Sequence, residues 1–453
     1  MQENQNNVFS LTNDFEIDKI KISFELKDEF SLIETFSLTT FEGINLSDDF
    51  LSPTRNLSIK LSGIRELDES VINKILIGAK CVCSYKEIPI FIGYVYSIDE
   101  SVNSGGSSAN IQCKDFMYLL EDSTIEKPIV ITGNETLRDI VTKICGPILK
   151  ANQIGLSFEG ISPNQKWYSL VMPSKAETQS VYDPVLKKTI FIDTTTTTTT
   201  STTNVGFSSK TRKLKEPSSL KDFQTKIGDG IWQSLQKVLN YAGLTARGAF
   251  TNVVELLEIT KPADDDSPSY ELDRRYESYT RSQNLREQIP IFIATGHGSD
   301  NLNFRNVPIK SVALNEFTAF DKQGKNLPAI QTYLDLWKAK PLPTNSYLKN
   351  LPTFIAKTTR YSLFEKNSIS SQKALDNFVF RKMRDRQQKA CVLNFTVPGW
   401  SIQDVVIHSN SIIHIKFLDT SFFIKSVNYN FSNSGVTTSF ECVHKYTMNF
   451  GDM

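Results

Sequence analysis

The sequence predicts a β-rich α+β chain in which two small antiparallel β-barrel domains flank an αβ lobe. Three observations lead there. Runs that alternate polar with apolar or aromatic residues crowd both ends of the 453-residue chain, and period-two alternation buries one side of a strand. Between them, two stretches of helix length carry apolar residues at helical spacing instead. Phe (29) and Tyr (15) far outnumber Trp (4), which suits strands. A chain of this length has room for about three domains, each burying its own core.

Residues 1–13 read as a polar tail. Residues 14–125 form the expected first β-barrel domain. Within it 20–26, 57–61 and 81–85 alternate, while 90–95 is uniformly apolar, as in a strand covered on both sides. Residues 104–108 make a hairpin tip, and 116–123 turn helical and close the unit. The αβ lobe spans 126–262. Gly133-Asn134-Glu135-Thr136 opens a capped helix with Leu137, Ile140, Val141 and Ile144 on one face, and a strand follows at 154–158. The order recurs with Gly228-Asp229-Gly230, the stretch IWQSLQKVLNYAGLTARG and a strand at 253–259. Between the copies, a seven-threonine run after Asp193 cannot pack a core of its own, so about 178–217 reads as a Thr-rich insertion.

The acidic linker Asp264, Asp265, Asp266 opens the second β-barrel domain, 263–453. Strands are expected at 274–283 and 289–294, with an inserted segment at 296–352 that contains the helical stretch IQTYLDLWKAK, and 353–362 leads back toward the closing meander. Residues 370–390 give an amphipathic helix with Ala374, Leu375, Phe378, Val379 and Met383 on one stripe. Alternating runs follow at 392–397, 412–417, 422–431 and 437–443. Turn chemistry separates them: Pro398-Gly399 ahead of Trp400, Ser409-Asn410-Ser411, Asp419-Thr420-Ser421 and Asn433-Ser434-Gly435.

Lys plus Arg equals Asp plus Glu at 50 each, so no global charge draws the chain to nucleic acid or an anionic membrane. Six scattered Cys give no disulfide framework and point to synthesis in a reducing compartment. The polar start MQENQNNVF lacks the features of a signal peptide, and no apolar run reaches membrane-spanning length. No CxxC or HxxxH spacing is present. His408 and His414 flank a turn, and Cys81 and Cys83 share a strand face, so they read as satisfied polar groups and core residues rather than zinc ligands. Thr295-Gly296-His297-Gly298-Ser299-Asp300 lacks the third glycine and following helix of a phosphate loop and reads as a turn. With no GxSxG or comparable constellation, no catalytic, cofactor or metal residue is expected. One charge feature stands out on the 370–390 helix: Lys373, Arg381, Lys382, Arg384, Arg386 and Lys389, against Asp376 and Asp385. A solvated face is the plain reading. The functional one is a subunit contact or the lining of a channel for DNA, without base recognition, since no stacking aromatics are interleaved.

Four stretches, in order, carry a resemblance: IFIGYVYSIDESVNSGGSSANIQCKDFMYLLEDS, the turn Asn134-Glu135-Thr136, RRYESYTRSQ, and a helix followed by VPGW and a closing strand meander. Together they resemble the phage Mu-type baseplate hub proteins of contractile tails, the late control protein D-like family. Cys113-Lys114-Asp115 stands where many members have Gly-Arg-Ser or Gly-Arg-Asp, and Ser282 replaces a glycine. The resemblance implies a homotrimer in the virion tail baseplate, synthesised in the bacterial host cytoplasm and not inserted in membrane. Two barrels per protomer would give six positions around a ring. That ring would join a sixfold tail tube or tube-initiator protein to a threefold central spike, inside the baseplate wedge proteins, with DNA passing transiently through the lumen. The alternatives are a tail-associated peptidoglycan or carbohydrate hydrolase, marked by a buried acidic pair in a cleft, and a receptor-binding adhesin, marked by an exposed aromatic groove.

Overall fold

The structure, a computed structural model, describes residues 19–27, 33–38, 41–62, 75–103, 106–131, 135–166, 179–183, 188–192, 224–250, 254–263, 268–273, 275–299, 306–320, 325–336, 340–342, 361–365, 372–432 and 435–448. The polar tail 1–13, the threonine run, the linker Asp264 to Asp266, much of 296–352 and most of 353–362 lie outside the described residues.

The first unit comprises β1 (Ile20–Lys27), β2 (Ile33–Leu38), β3 (Gly43–Asp49), β4 (Asn56–Ser62), β5 (Lys80–Tyr85), β6 (Ile88–Asn103) and β7 (Gly106–Lys114). The alternation read from the sequence fixes which side of each strand is buried: in β5, Cys81, Cys83 and Tyr85 point inward. Gly93 in β6 has no room for a side chain, because a Cβ would stand 2.3 Å from the Lys114 carbonyl oxygen of β7. The short helix α1 (Met117–Glu121) buries Met117 and Leu120 and leads into the lobe.

In the lobe, α2 (Leu137–Ala151) begins with a capping box. Thr136 Oγ1 accepts from the Asp139 backbone N–H, and the Asp139 carboxylate accepts from that of Thr136, both at 3.1 Å. Strand β8 (Gly155–Phe158) follows, then a separate hairpin of β9 (Gln179–Asp183) and β10 (Lys188–Ile192). The second copy is α3 (Ile231–Tyr241) with β11 (Thr245–Phe250) and β12 (Glu255–Thr260). The helix ends at Tyr241, ahead of the Ala242-Gly243 bend, and the TARG end of the stretch belongs to β11. Strands β8 and β12 pair in parallel and β11 and β12 antiparallel. On this sheet Leu137, Ile140 and Val141 share a core with Leu235, Leu239, Leu257 and Ile259.

The last unit contains β13 (Tyr270–Leu272), β14 (Ser278–Gln283), β15 (Ile291–Ser299), β16 (Asn306–Leu314), α4 (Pro328–Leu336), β17 (Tyr361–Glu365) and the long helix α5 (Gln372–Ala390). The meander completes it: β18 (Cys391–Pro398), the two-residue pair β19 (Ser401–Ile402) and β20 (Val405–Val406), then β21 (Ser411–Ile415), β22 (Thr420–Ser432) and β23 (Gly435–His444). Strands β15, β16 and β17 form a sheet covered on both faces. Ile291, Ile293, Val312 and Leu314 meet Ile330 and Leu334 of α4, whereas Phe292, Ala294 and Ala313 meet Leu375, Val379 and Met383 of α5. The glycine stretch from Thr295 to Ser299, expected as a turn, is the far half of β15, paired residue by residue with β16.

Two separate barrels are not what forms. Among the described residues the fold is sheet-rich, and no sheet closes into a barrel. Strands from both ends of the chain join one open thirteen-stranded sheet, in the order β14-β18-β23-β22-β3-β4-β7-β6-β5-β1-β2, with β13 beside β21 and β21 beside β22. The join is β22 against β3, from Ser426 opposite Asp49 to Phe431 opposite Ile44. Alternation along a strand dictates which face is buried, not which edge meets which. A β3 edge that takes β22 leaves none for closure of the first unit. One core accordingly runs through both ends, from Ile22 and Phe24 to Tyr429 and Phe440.

The turn Pro398-Gly399-Trp400 pins this join. Gly399 adopts φ +76°, a conformation that suits glycine, and its N–H donates to Val436 O at 2.8 Å. Trp400 is fully buried. Its indole N–H donates to Asn430 O at 3.1 Å, and its ring packs against Tyr85 of β5 and Tyr429 of β22 at 5.5 and 5.7 Å between centroids. Trp400→Ala is expected to cost about 3–5 kcal/mol of unfolding free energy, measured as a shift of the urea transition.

Candidate assembly site

The described residues hold no group of three or more His, Cys, Asp or Glu arranged to bind a metal. The six cysteines are free thiols. Burial pushes the Cys83 and Cys145 thiols up to about 12, leaving them protonated. What the sequence spreads over three regions, the fold assembles into two polar clusters, each holding a joint between units.

The first lies where the large sheet meets the lobe. Arg55 of the β3–β4 turn sits 3.7 Å from the Asp48 carboxylate, and its Nη2 donates to Ile90 O at 2.5 Å. Its guanidinium also lies 5.7 Å from the centre of the Phe250 ring in β11. Tyr94 of β6 donates to Glu255 of β12 at 2.7 Å, and Arg247 of β11 pairs with Glu258 at 2.6 Å. Asp115 is buried at the end of β7, with Oδ1 accepting from Met117 N–H at 3.2 Å and Oδ2 without a hydrogen-bond partner. Burial pushes its carboxyl up to about 7, against the pull of Arg55. On the meander side, Tyr270 Oη donates to Val406 O at 2.8 Å and accepts from His408 N–H at 3.1 Å. Burial, helped by Arg55, pushes the His408 imidazole down to about 4, so the ring is neutral at pH 7. Neither Arg55 nor Tyr94 could be singled out from the sequence, because Ile90, Phe250 and Glu255, which they meet, lie dozens to hundreds of positions away.

The second cluster surrounds α5 and involves most of the basic residues read from the sequence. Arg384 is buried, and its guanidinium makes a two-pronged pair with Glu316, Nη1 to Oε2 at 3.2 Å and Nη2 to Oε1 at 3.1 Å. Gln387 donates to both Glu316 and Asn315, at 2.8 and 2.9 Å. Arg386 pairs with Glu287, and Lys382 with Asp385 at 3.5 Å. Arg381 donates to the Asn240 carbonyl at 2.8 Å and to its side-chain oxygen, fastening α5 to the end of α3. Lys389 is exposed, and Lys373 lies in the first turn of the helix. An exposed cleft of about 430 Å³ runs between α3 and α5, with Lys237, Arg381 and Lys382 on its walls beside Phe50 and Leu51.

No family model matches the chain, and no curated protein does. Solved structures do. The tail protein from Neisseria meningitidis MC58 superposes with a TM-score of 0.58 at 13% identity, over 95% of this chain and 99% of that one. The 43 kDa tail protein of prophage MuSo2 from Shewanella oneidensis gives 0.59 at 11% identity, over 94% and 99%. The chain has the fold of these tail proteins along nearly its whole length, in line with the resemblance its sequence carries to Mu-type tail components.

Two outcomes test the clusters. Arg384→Ala strands a buried carboxylate and is expected to cost about 3–5 kcal/mol, while the double change Arg384→Met with Glu316→Leu recovers most of it; denaturant titration of the three proteins reads the difference. The Asp115 carboxyl has a folded pKa above its unfolded value, so the stability it contributes is complete below about pH 4 and is lost as pH rises through about 7. His408 runs the opposite way, its contribution present above about pH 6.5 and lost as pH falls through about 4. Asp115→Asn is therefore expected to gain on the native protein between about pH 4 and pH 8, by at most about 4 kcal/mol, in unfolding midpoints measured across that range.

Proposed function

We propose that the chain is a structural component of a contractile-tail baseplate and serves as its trimeric hub. The observation that carries this reading is the match over nearly the full length of two tail proteins. The single thirteen-stranded sheet supports it physically. A part that transmits force between a tube and a spike must move as a body, and a core shared by both ends of the chain gives that stiffness. Each protomer offers two groups of strands side by side, β1 to β7 and the β14, β18, β22, β23 group. Three protomers would then set six such groups around an axis and present a near-sixfold face to a tube and a threefold face to a spike. The lumen of that ring would pass DNA, and the basic side chains exposed beside α5, Lys389 among them, are proposed to lie at subunit contacts or along that lumen.

The test is the mass of the purified full chain in solution, followed by imaging of the particle. A species three times the 51.2 kDa of one chain, seen as a threefold ring with a central opening, is the expected result. A strict monomer at high micromolar concentration, with or without polysaccharide-cleaving activity, overturns the reading.

A further inference from the structure

A cavity of about 250 Å³ lies where the end of α5, the start of β18 and the start of β22 meet the loop after β16. It is smaller than the roughly 300–1,000 Å³ that holds a drug-sized ligand, so an occupant must be fragment-sized. Its walls are apolar where Phe317, Leu393, Leu418 and Phe422 face in. Polar atoms of Thr318 and His444, two of the lining residues, stay unanswered. Thr318 is 2% exposed and its Oγ1 has no hydrogen-bond partner, and the same holds for Nδ1 of His444. Buried polar atoms are paired almost without exception, by protein, water or ligand. Both belong to residues that line the cavity, although neither atom is itself open to its space.

Charge selects the kind of occupant. Among the described residues that line the cavity, none is Asp or Glu and Arg281 carries the one fixed charge. Gln283, its amide oxygen turned toward Arg281, accepts from Nε and Nη2 at 3.0 and 2.7 Å. Arg384, the buried arginine of α5, is already neutralised by Glu316. Burial keeps the His444 ring neutral at pH 7, its pKa pushed down to about 4. An anion at the opening therefore meets one positive charge and no opposing carboxylate.

We propose that this cavity binds a fragment-sized carboxylate with an apolar body, the carboxylate at Arg281 and the body among Phe317, Leu393, Leu418 and Phe422. Two sources offer this chemistry: a free small acid, or the C-terminal carboxylate of a protein chain with an apolar last residue. The site does not depend on the hub reading, since it is built within one chain.

Calorimetric titration of the full chain with phenylacetate, phenylacetamide and a Gly-Gly-Phe tripeptide, as acid and as amide, tests it. Saturable binding of an acid in the millimolar range or tighter is expected, with its uncharged amide on the order of tenfold weaker. Tighter binding of the tripeptide acid than of phenylacetate marks a chain terminus as the source, and the reverse order marks a free acid. Arg281→Gln, an exposed change that leaves the thermal transition in place, is expected to remove that tenfold preference. Thr318→Leu, which fills the cavity, is expected to abolish binding. No saturable binding of either acid, equal binding of acid and amide, or an unchanged preference in Arg281→Gln overturns the proposal.

Discussion

Strand β22 has two edges and three neighbours, and the way it shares them shapes the whole molecule. One edge pairs with β23 along its length. The other is divided: Thr420 to Ile424 take β21, and Ser426 to Phe431 take β3. The register shift between Ile424 and Ser426 on the β23 side falls at this division, and such a bulge bends a strand and increases its local twist. Both halves of the chain are thereby hydrogen-bonded to one strand. Phe41 against Phe431 and Trp400 between Tyr85 and Tyr429 then fill the space that the join creates.

The other joints follow the same economy. The lobe is held to the sheet by Arg55 and Tyr94, and to α5 by Arg381. Helix α5 is held to the covered β15-β16-β17 layer by apolar packing and by the buried pair of Arg384 and Glu316. Polar contacts of this kind add little net stability while intact, but they are expensive to break singly. They favour one relative placement of the units over neighbouring ones.

Helix α5 shows why charge pattern alone misleads. On the linear chain its basic residues look like one face turned to solvent. In the fold Arg384 points into the protein and meets Glu316, 68 positions away, while Arg386 reaches Glu287. A buried arginine and an exposed one look alike in a sequence, because the carboxylate that makes burial tolerable comes from another element. The same applies to Asp115 and His408, whose perturbed protonation arises from burial by strands far away in the chain. Much of the α2 cap, by contrast, could be read directly: Thr136 and Asp139 stand three residues apart, and their reciprocal bonds need no tertiary partner.

By itself the sequence determined the local content: alternating strands at both ends, two helix-and-strand copies between them, the long helix before the meander and the turn ahead of Trp400. Each rests on interactions spanning a few residues, so each is written in adjacent letters. Only the tertiary structure decided how strand edges were allotted, and with them whether the ends closed as two barrels or opened into one sheet. Edge pairing is made by backbone groups that every residue carries, so no side-chain pattern announces the choice.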